Sequence, residues 1–434
     1  MSQHQENVET ADEDENVSNS ILMFLQPLAN VVDSDTSDDD IPISREGDFD
    51  LDLPTTHRYL GKLDNVRGYT LFEDGVVINT LAIYTTTMVF PGFTLPLVIN
   101  MYMETSIIKK FLEKENVFVL LCANSNHTGV YEYGVTMEVF ETQDKHYALS
   151  IKARGRQRCM LVPGMEQKAL TGRLKKVTVQ ILPEPSISTP LCDTQMLNLK
   201  QKRPFTSTDF NDVKKNYKYR RYHLAQFPFS SWVYDNNEIS YYVKSILKYL
   251  SHYSAEYVPQ DPIKLSYWFV QNYQLSHDER LYILKLNSAL ERLKLEYKLL
   301  QLKRIMCCNS CGVQITDPSE VFAMSKDGIQ SNYVNPGGHV YETVTVMNAQ
   351  NFKLEGNPST QFSWFPGYTW TIMQCKSCEN HLGWKFSSPL LRPPSFYGLA
   401  KGGFKVVICD RSGPDYSPYV KTKHVSFSRD YIPI

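Results

Sequence analysis

The strongest constraint on how this chain can fold is a pair of cysteine couples, Cys308-Asn309-Ser310-Cys311 and Cys375-Lys376-Ser377-Cys378. A Cys-x-x-Cys turn lets two thiolates reach one ion from a tight knuckle, and two such knuckles supply four sulfurs in a tetrahedral set. That set suits zinc and leaves no open position for water. The spacing therefore predicts a single structural Zn2+ that stabilises folding and performs no chemistry. The 63 residues between the couples exceed the loop of an ordinary zinc ribbon, so a whole β-subdomain has to be clamped between the knuckles. Cys307 competes with Cys308, but the two-residue gap favours Cys308. Cys122, Cys159, Cys192, Cys307 and Cys409 have no nucleophile context and read as core filling.

The acidic, polar N-terminus lacks the basic and apolar regions of a signal peptide, and no apolar run approaches the roughly 18–20 residues of a membrane span. The cysteines are thus expected to be reduced, which favours metal sites over disulfides. The net charge of −2 is a cancellation. Residues 1–50 hold 14 Asp/Glu and one basic residue, Arg45, for a charge of −13; the remaining 384 residues carry +11. Of that surplus, +8 falls within residues 200–304. Residues 1–50 read as a disordered acidic tail, with Ile21-Leu22-Met23-Phe24-Leu25 as an apolar island and Ser34 and Ser37 as candidates for an acid-directed kinase.

A chain of 434 residues is too long for one core and predicts two to three domains. The pattern is α+β and multidomain. Residues 55–185 read mostly as strands, including Val76–Val89, Tyr131–Phe140 and Tyr147–Ile151, with one helix over Met101–Glu115. Pro183-Glu184-Pro185 closes the unit. Residues 190–304 turn helical. Asn237 is a candidate cap, Asp261-Pro262 opens a second helix, and Ser276-His277-Asp278-Glu279 is a capping box. The helix it opens is expected to run to about Lys303, with a seam of Ile283, Leu286, Leu290, Leu293, Tyr297 and Leu300. That seam fits an intramolecular bundle, a self-associating coiled coil or a partner-docking module. Residues 305–410 return to strands and turns, and 411–434 form a C-terminal tail.

Three of the five tryptophans, Trp364, Trp370 and Trp384, lie beside the second cysteine couple. They can be core. They can equally wall a preorganised pocket for a small flat or saturated ring, with backbone amides supplying polar recognition. Two other function classes compete. No phosphate loop, nucleophile elbow or HExxH supports an enzyme, and His339 followed by Glu342 has the wrong spacing for a zinc deaminase. Lys214 to His223 interleaves five cations with three tyrosines, a pattern that could bind nucleic acid or face a protein partner.

The run from Cys308 to Phe386 resembles the C-terminal, thalidomide-binding domain of the cereblon family of substrate receptors. The residues that carry this are Tyr333-Val334-Asn335-Pro336, Glu342-Thr343, Pro358-Ser359-Thr360, Ser363 to Tyr368 and Gly383 to Phe386. Upstream, Phe90-Pro91-Gly92-Phe93-Thr94-Leu95-Pro96-Leu97 and Ala153 to Arg158 are similar to the Lon N-terminal substrate-binding domain, which that family also carries. The resemblance covers about residues 55–400. It implies a Lon N-terminal-like β-rich domain over 55–185, a helical adaptor-binding bundle over 190–304 and a zinc-clamped, all-β, cyclic-imide-binding domain over 305–410. It also implies a non-catalytic receptor of the cytoplasm and nucleus. Through the damaged-DNA-binding adaptor protein, this receptor would present client proteins to a cullin-4 RING ubiquitin ligase.

On the same basis Trp364, Trp370 and Trp384 enclose a glutarimide, Phe386 completes the floor, and Asn335 and Pro336 sit on a ligand-facing hairpin. The sequence departs from the family where Phe362, Tyr341 and Gly337 replace histidines and Ile372 replaces a valine. At Phe362 and Trp364 only the main chain is expected to bond the imide.

Overall fold

A computed structural model describes residues 47–66, 68, 70–123, 130–145, 148–165, 167–185, 237–250 and 258–409. Most of the acidic tail, the basic segment 214–223, Cys192, residues 190–236 and the 411–434 tail lie outside the described residues.

The first unit is a β-barrel with short additions. Its strands are β2 (Asp64–Asn65), β3 (Val77–Thr85), β4 (Thr94–Ile99), β5 (Val117–Ala123), β6 (Val130–Lys145), β7 (Ala148–Leu161), β8 (Lys168–Thr171) and β9 (Leu174–Ile181); β1 (Gly47–Asp48) belongs elsewhere. β6 pairs with β5 and with β7, and β5, β3, β9 and β7 are joined in series, so these five strands close a ring that leaves few open edges. β-Branched and aliphatic side chains fill it: Ile83, Leu95, Leu97, Val135, Met137, Ile151 and Ala153 are buried. Gly155 permits a close approach, because a Cβ there would meet the Phe90 carbonyl oxygen at 2.6 Å. The expected helix is present as Tyr102–Leu112, with Ile108 as its buried anchor.

Among the described residues, four helices follow. Ile239–Tyr249 is preceded by Glu238 rather than capped by Asn237, whose Oδ1 instead accepts from Lys294 Nζ at 2.8 Å. Pro262–Asn272 is capped by Asp261, which accepts from the Lys264 N–H. The capping box forms, with both reciprocal bonds between Ser276 and Glu279.

The long helix expected from Ser276 to Lys303 does not exist. It is two helices, His277–Lys285 and Ala289–Leu300, parted at Leu286, where ψ is 123°. Buried arginines explain the break. Arg158 donates to the carbonyls of Leu284 (3.1 Å) and Leu286 (2.8 Å), and Arg292 donates to Leu286 (2.9 Å). A carbonyl turned toward a guanidinium is withdrawn from the i→i−4 ladder. The coiled-coil reading falls with the single helix.

The last unit holds β10 (Arg304–Cys308), β11 (Gln314–Thr316), β12 (Gln330–Val334), β13 (Val340–Val346), β14 (Phe352–Ser359), β15 (Thr369–Cys375), β16 (His381–Ser387), β17 (Leu391–Arg392), β18 (Ser395–Ala400) and β19 (Phe404–Ile408). Six strands form one sheet in the order β12-β13-β18-β16-β15-β14, and β11-β10-β19 form a second. The folded chain begins before residue 50. β1 pairs in parallel with β17, and Phe49 packs edge-on to Tyr368 at 5.4 Å.

Candidate zinc centre and aromatic site

The two cysteine couples meet. Sγ of Cys308, Cys311, Cys375 and Cys378 all lie within 4.8 Å of one another, with Cys308–Cys378 at 3.6 Å and Cys311–Cys375 at 3.5 Å. A zinc–sulfur bond of about 2.3 Å in a regular tetrahedron separates sulfurs by roughly 3.8 Å, so the donor set fits one structural zinc. The knuckles are built alike. Cys308 N–H donates to Val313 and Cys375 N–H to Asn380, both at 2.8 Å; Gly312 N–H returns to Cys308 and Glu379 N–H to Cys375, both at 3.0 Å. Gly312 and Glu379 both take positive φ, 77° and 61°. Burial opposes ionisation of Cys308, yet the backbone N–H groups of Cys311 and Ser310 bring its thiol down to about 7. Cys307, next along β10, is buried with its thiol pushed up to about 11 by desolvation. It takes no part in the cluster.

The clamp anchors β15 and β16, and these strands carry the indoles. Register pairs Trp370 with Phe386 and Ile372 with Trp384, so period-two alternation puts all four on one face of the sheet. Gly398 on β18 leaves room for this layer, since a Cβ there would stand 2.9 Å from the Phe386 ring. The loop before β15 adds Trp364, Phe365 and Tyr368.

Trp364 and Trp384 meet edge to face at 4.7 Å, and Tyr333 stacks flat on Trp364 at 4.9 Å. Trp370 is half-buried, and its Nε1–H donates to the Gln361 carbonyl at 2.9 Å. Phe386 is only 1% exposed, packed between Phe365 (4.7 Å) and Phe396 (5.1 Å). It backs the site rather than lining it. Ser363 Oγ–H donates to the Phe365 carbonyl and the Ser363 N–H to Thr360, fixing the loop that carries Phe362 and Trp364.

Asn335 and Pro336 turn the β12–β13 hairpin. The Asn335 N–H donates to His339 and the Gly338 N–H to Asn335, while the Pro336 carbonyl accepts from Asn100 Nδ2 at 3.0 Å. The hairpin tip is therefore held on the barrel.

Sequence reasoning placed Tyr341 on this hairpin but missed its contacts. Its ring stands edge-on to Trp384 at 4.9 Å and 5.8 Å from Trp364, and His339 and His381 close the cluster behind it. Burial, helped by His339, lowers His381 to about 4. The imidazole is thus neutral, with a buried Nε2 that has no partner. The only available signal was the alternation that puts Tyr333 opposite Tyr341.

Comparison with known proteins agrees with this architecture. Residues 78–302 match the family model described as ATP-dependent protease La (LON) substrate-binding domain, and residues 304–391 match Yippee zinc-binding/DNA-binding/Mis18, centromere assembly. The protein cereblon of Danio rerio is 33% identical over 376 residues, which cover 81% of this chain and 86% of that one. Cereblon of Gallus gallus is 31% identical over 85% and 88% of the two chains. Cereblon of Drosophila melanogaster is 31% identical over 87% of this chain and 65% of its own. Relatives at these identities, aligned over most of the chain, place it in the cereblon family.

Proposed function

We propose that this chain is the substrate-recognition subunit of a cullin-4 RING ubiquitin ligase and binds cyclic imides in its aromatic site. The single observation that carries the reading is the corner made by Trp364 and Trp384, braced by Tyr333 and Tyr341 on the neighbouring hairpin, with Trp384 on a strand beside the thiolate clamp. A saturated ring placed against indole faces buries its methylenes at about 25 cal/mol per Å² of apolar area. The imide's one donor and two acceptors then require matched partners, and a ring lacking them leaves buried polar groups unpaired. The main chain at Phe362 and Trp364 is the candidate for that role.

The receptor needs no chemistry of its own. Family membership supports recruitment through the damaged-DNA-binding adaptor protein, with client proteins presented for ubiquitination and cullin-4 and the RING subunit engaged indirectly. The basic region 190–304, whose described part holds the four helices above, is the candidate docking module, and cytoplasm and nucleus are the compartments where such a ligase acts.

The test is a calorimetric titration of glutarimide into the wild-type protein and Trp384→Ala, with zinc content measured on both. Loss of binding at full zinc occupancy supports the reading. Equal affinity removes the aromatic site from it.

A further inference from the structure

The four sulfurs of the clamp are not equally shielded. Cys308 and Cys375, the first cysteine of each couple, are fully buried, whereas Cys311 is half-buried and Cys378 is exposed. Among the described residues Cys378 is the only exposed cysteine: Cys122, Cys159 and Cys307 are buried, and Cys409 is half-buried. The cause is local. Lys376, Ser377, Cys378 and Glu379 lie in the connection between β15 and β16, and all four residues are exposed. The connection is tied at its base, where the Lys376 N–H donates to the Asn351 carbonyl at 2.9 Å and the Cys375 N–H to Asn380 at 2.8 Å. Those bonds fix the turn without covering it.

A zinc-bound cysteine is a thiolate whatever its free acidity, so reach decides which sulfur an oxidant meets first. Beside Cys378 a second sulfur is already in place. Cys308 Sγ lies 3.6 Å away, carried by β10 of the other sheet, and Asn380 Nδ2 donates to it at 3.7 Å. The other short approach, Cys311 to Cys375, is 3.5 Å. Both approaches run between the couples, and each joins a buried sulfur to a more accessible one.

We propose that Cys378 is the oxidation site of a redox switch, in which a hydroperoxide converts Cys378 and Cys308 into a disulfide and the zinc is released. The Cys378 thiolate attacks a peroxide oxygen; an S–O bond forms, the O–O bond breaks and hydroxide leaves, giving a sulfenic acid. The Cys308 thiolate then attacks that sulfur; the S–S bond forms, the S–O bond breaks and a second hydroxide leaves. The two sulfurs have given two electrons to the peroxide, and the zinc stays divalent. Cys311 and Cys375 alone remain as donors, half of the tetrahedral set. Cys375 ends β15, and the exposed turn joins it to β16, so the loss reaches the strands that carry Trp370 and Trp384. A reducing compartment suits such a device, because the disulfides formed there are characteristically transient and redox-sensing. The inference stands on the zinc centre and is independent of the imide reading.

The test treats the zinc-loaded, full-length protein with one equivalent of hydrogen peroxide. Free zinc is followed with a colorimetric chelator, sulfenic acid is trapped with dimedone, and disulfides are mapped by mass spectrometry. Dimedone should mark Cys378. Without the trap, a disulfide joining Cys308 to Cys378 should form in step with loss of zinc and a red shift of tryptophan emission, and dithiothreitol with added zinc should reverse all three. Cys378→His keeps a ligand that structural zinc sites use and should slow the release by about tenfold or more. Cys409→Ser, which removes a half-buried cysteine outside the clamp, should change nothing. Dimedone on a buried cysteine instead, a disulfide within one couple, zinc retained after Cys378 is oxidised, or release from Cys378→His at the wild-type rate overturns the inference. Should Cys378→His fail to hold zinc, the mapping on the unaltered protein decides alone.

Discussion

His57 lies beneath the aromatic site, 3% exposed, with its ring edge-on to Tyr333 at 5.9 Å and Nδ1 at 3.0 Å from the Tyr59 hydroxyl. Burial, with a smaller push from Lys152, lowers its pKa from 6.5 to about 3. The folded protein therefore keeps this imidazole neutral while the unfolded chain protonates it below 6.5. Its contribution to stability is full above pH 6.5 and is lost as the pH falls toward 3, by about 2 kcal/mol at pH 5. Denaturant titrations at pH 7 and pH 5 should show that loss in the wild type. His57→Asn should lack it, since asparagine tolerates the left-handed backbone at this position and does not titrate. Equal pH slopes in the two proteins would exclude His57 as the source. At this scale the sequence was readable where chemistry follows from local spacing. Cys308 could be preferred to Cys307 from a two-residue gap, and the tryptophans could be grouped from their nearness to a knuckle. Tyr341 and His57 were not readable as neighbours of the indoles, because their contacts depend on how strands and segments far apart in sequence come together.

Among the elements, the knuckles offer the cleanest contrast between backbone and side-chain effects. Gly312 and Glu379 occupy equivalent left-handed positions, each returning its N–H to the first cysteine of its couple. A Cβ built on Gly312 meets nothing within 4 Å, so Gly312→Ala adds backbone strain and no clash. It should destabilise the zinc-loaded protein by about 1 kcal/mol, read as a lower denaturation midpoint with one zinc still bound. No change in midpoint would mean that the first knuckle relaxes freely. Removing the ion itself should have the larger effect, because four thiolates gathered from β10, β15 and the turns beside them lose their common partner. Chelation should expose the tryptophans of β15 and β16, seen as a red shift in their fluorescence, and readdition of zinc should reverse it. The helices show where local pattern misleads. The seam from Ile283 to Leu300 has coiled-coil spacing, and its residues Ile283, Leu290, Leu293 and Leu300 are buried. The apolar positions were therefore legible. The break was not, because it is made by Arg158, more than 120 residues upstream, reaching into the Leu284–Asn287 turn.

A buried polar junction joins the barrel, a helix and the zinc-clamped sheet. Glu342 on β13 accepts from Arg280 Nη1 at 2.6 Å, from the Met88 N–H at 2.6 Å and from Gln330 Nε2 at 3.2 Å; Arg280 also donates to the Met88 carbonyl at 3.0 Å. Both charged side chains are less than a tenth exposed. Burial pushes the Glu342 pKa up, but Arg280, Lys401 and the Met88 amide outweigh it, so the carboxylate stays below its usual range. One carboxylate thus binds the barrel, a helix and the zinc-clamped sheet. The same strand carries Tyr341 into the indoles, so this junction also fixes the wall of the candidate site. Nothing near Glu342 in the sequence announces it, since its partners lie 62 and 254 residues away. A junction of this kind should behave as a unit. Arg280→Met leaves a buried carboxylate without its counter-charge and should cost about 3–5 kcal/mol. Glu342→Gln keeps an acceptor for Met88 but strands the guanidinium, and it should cost a comparable amount. The double variant, Arg280→Met with Glu342→Gln, should cost less than the two together by at least 1 kcal/mol, because residues in one network do not add. The coupling should persist in 1 M salt, which screens exposed pairs far more than buried ones. Costs that add to within 0.5 kcal/mol, or a coupling that salt abolishes, would show that Arg280 and Glu342 act independently and that the barrel and the zinc-clamped sheet are held together by their apolar packing and by other polar contacts, such as those of Asn100 with Pro336 and of Asn332 with Thr94.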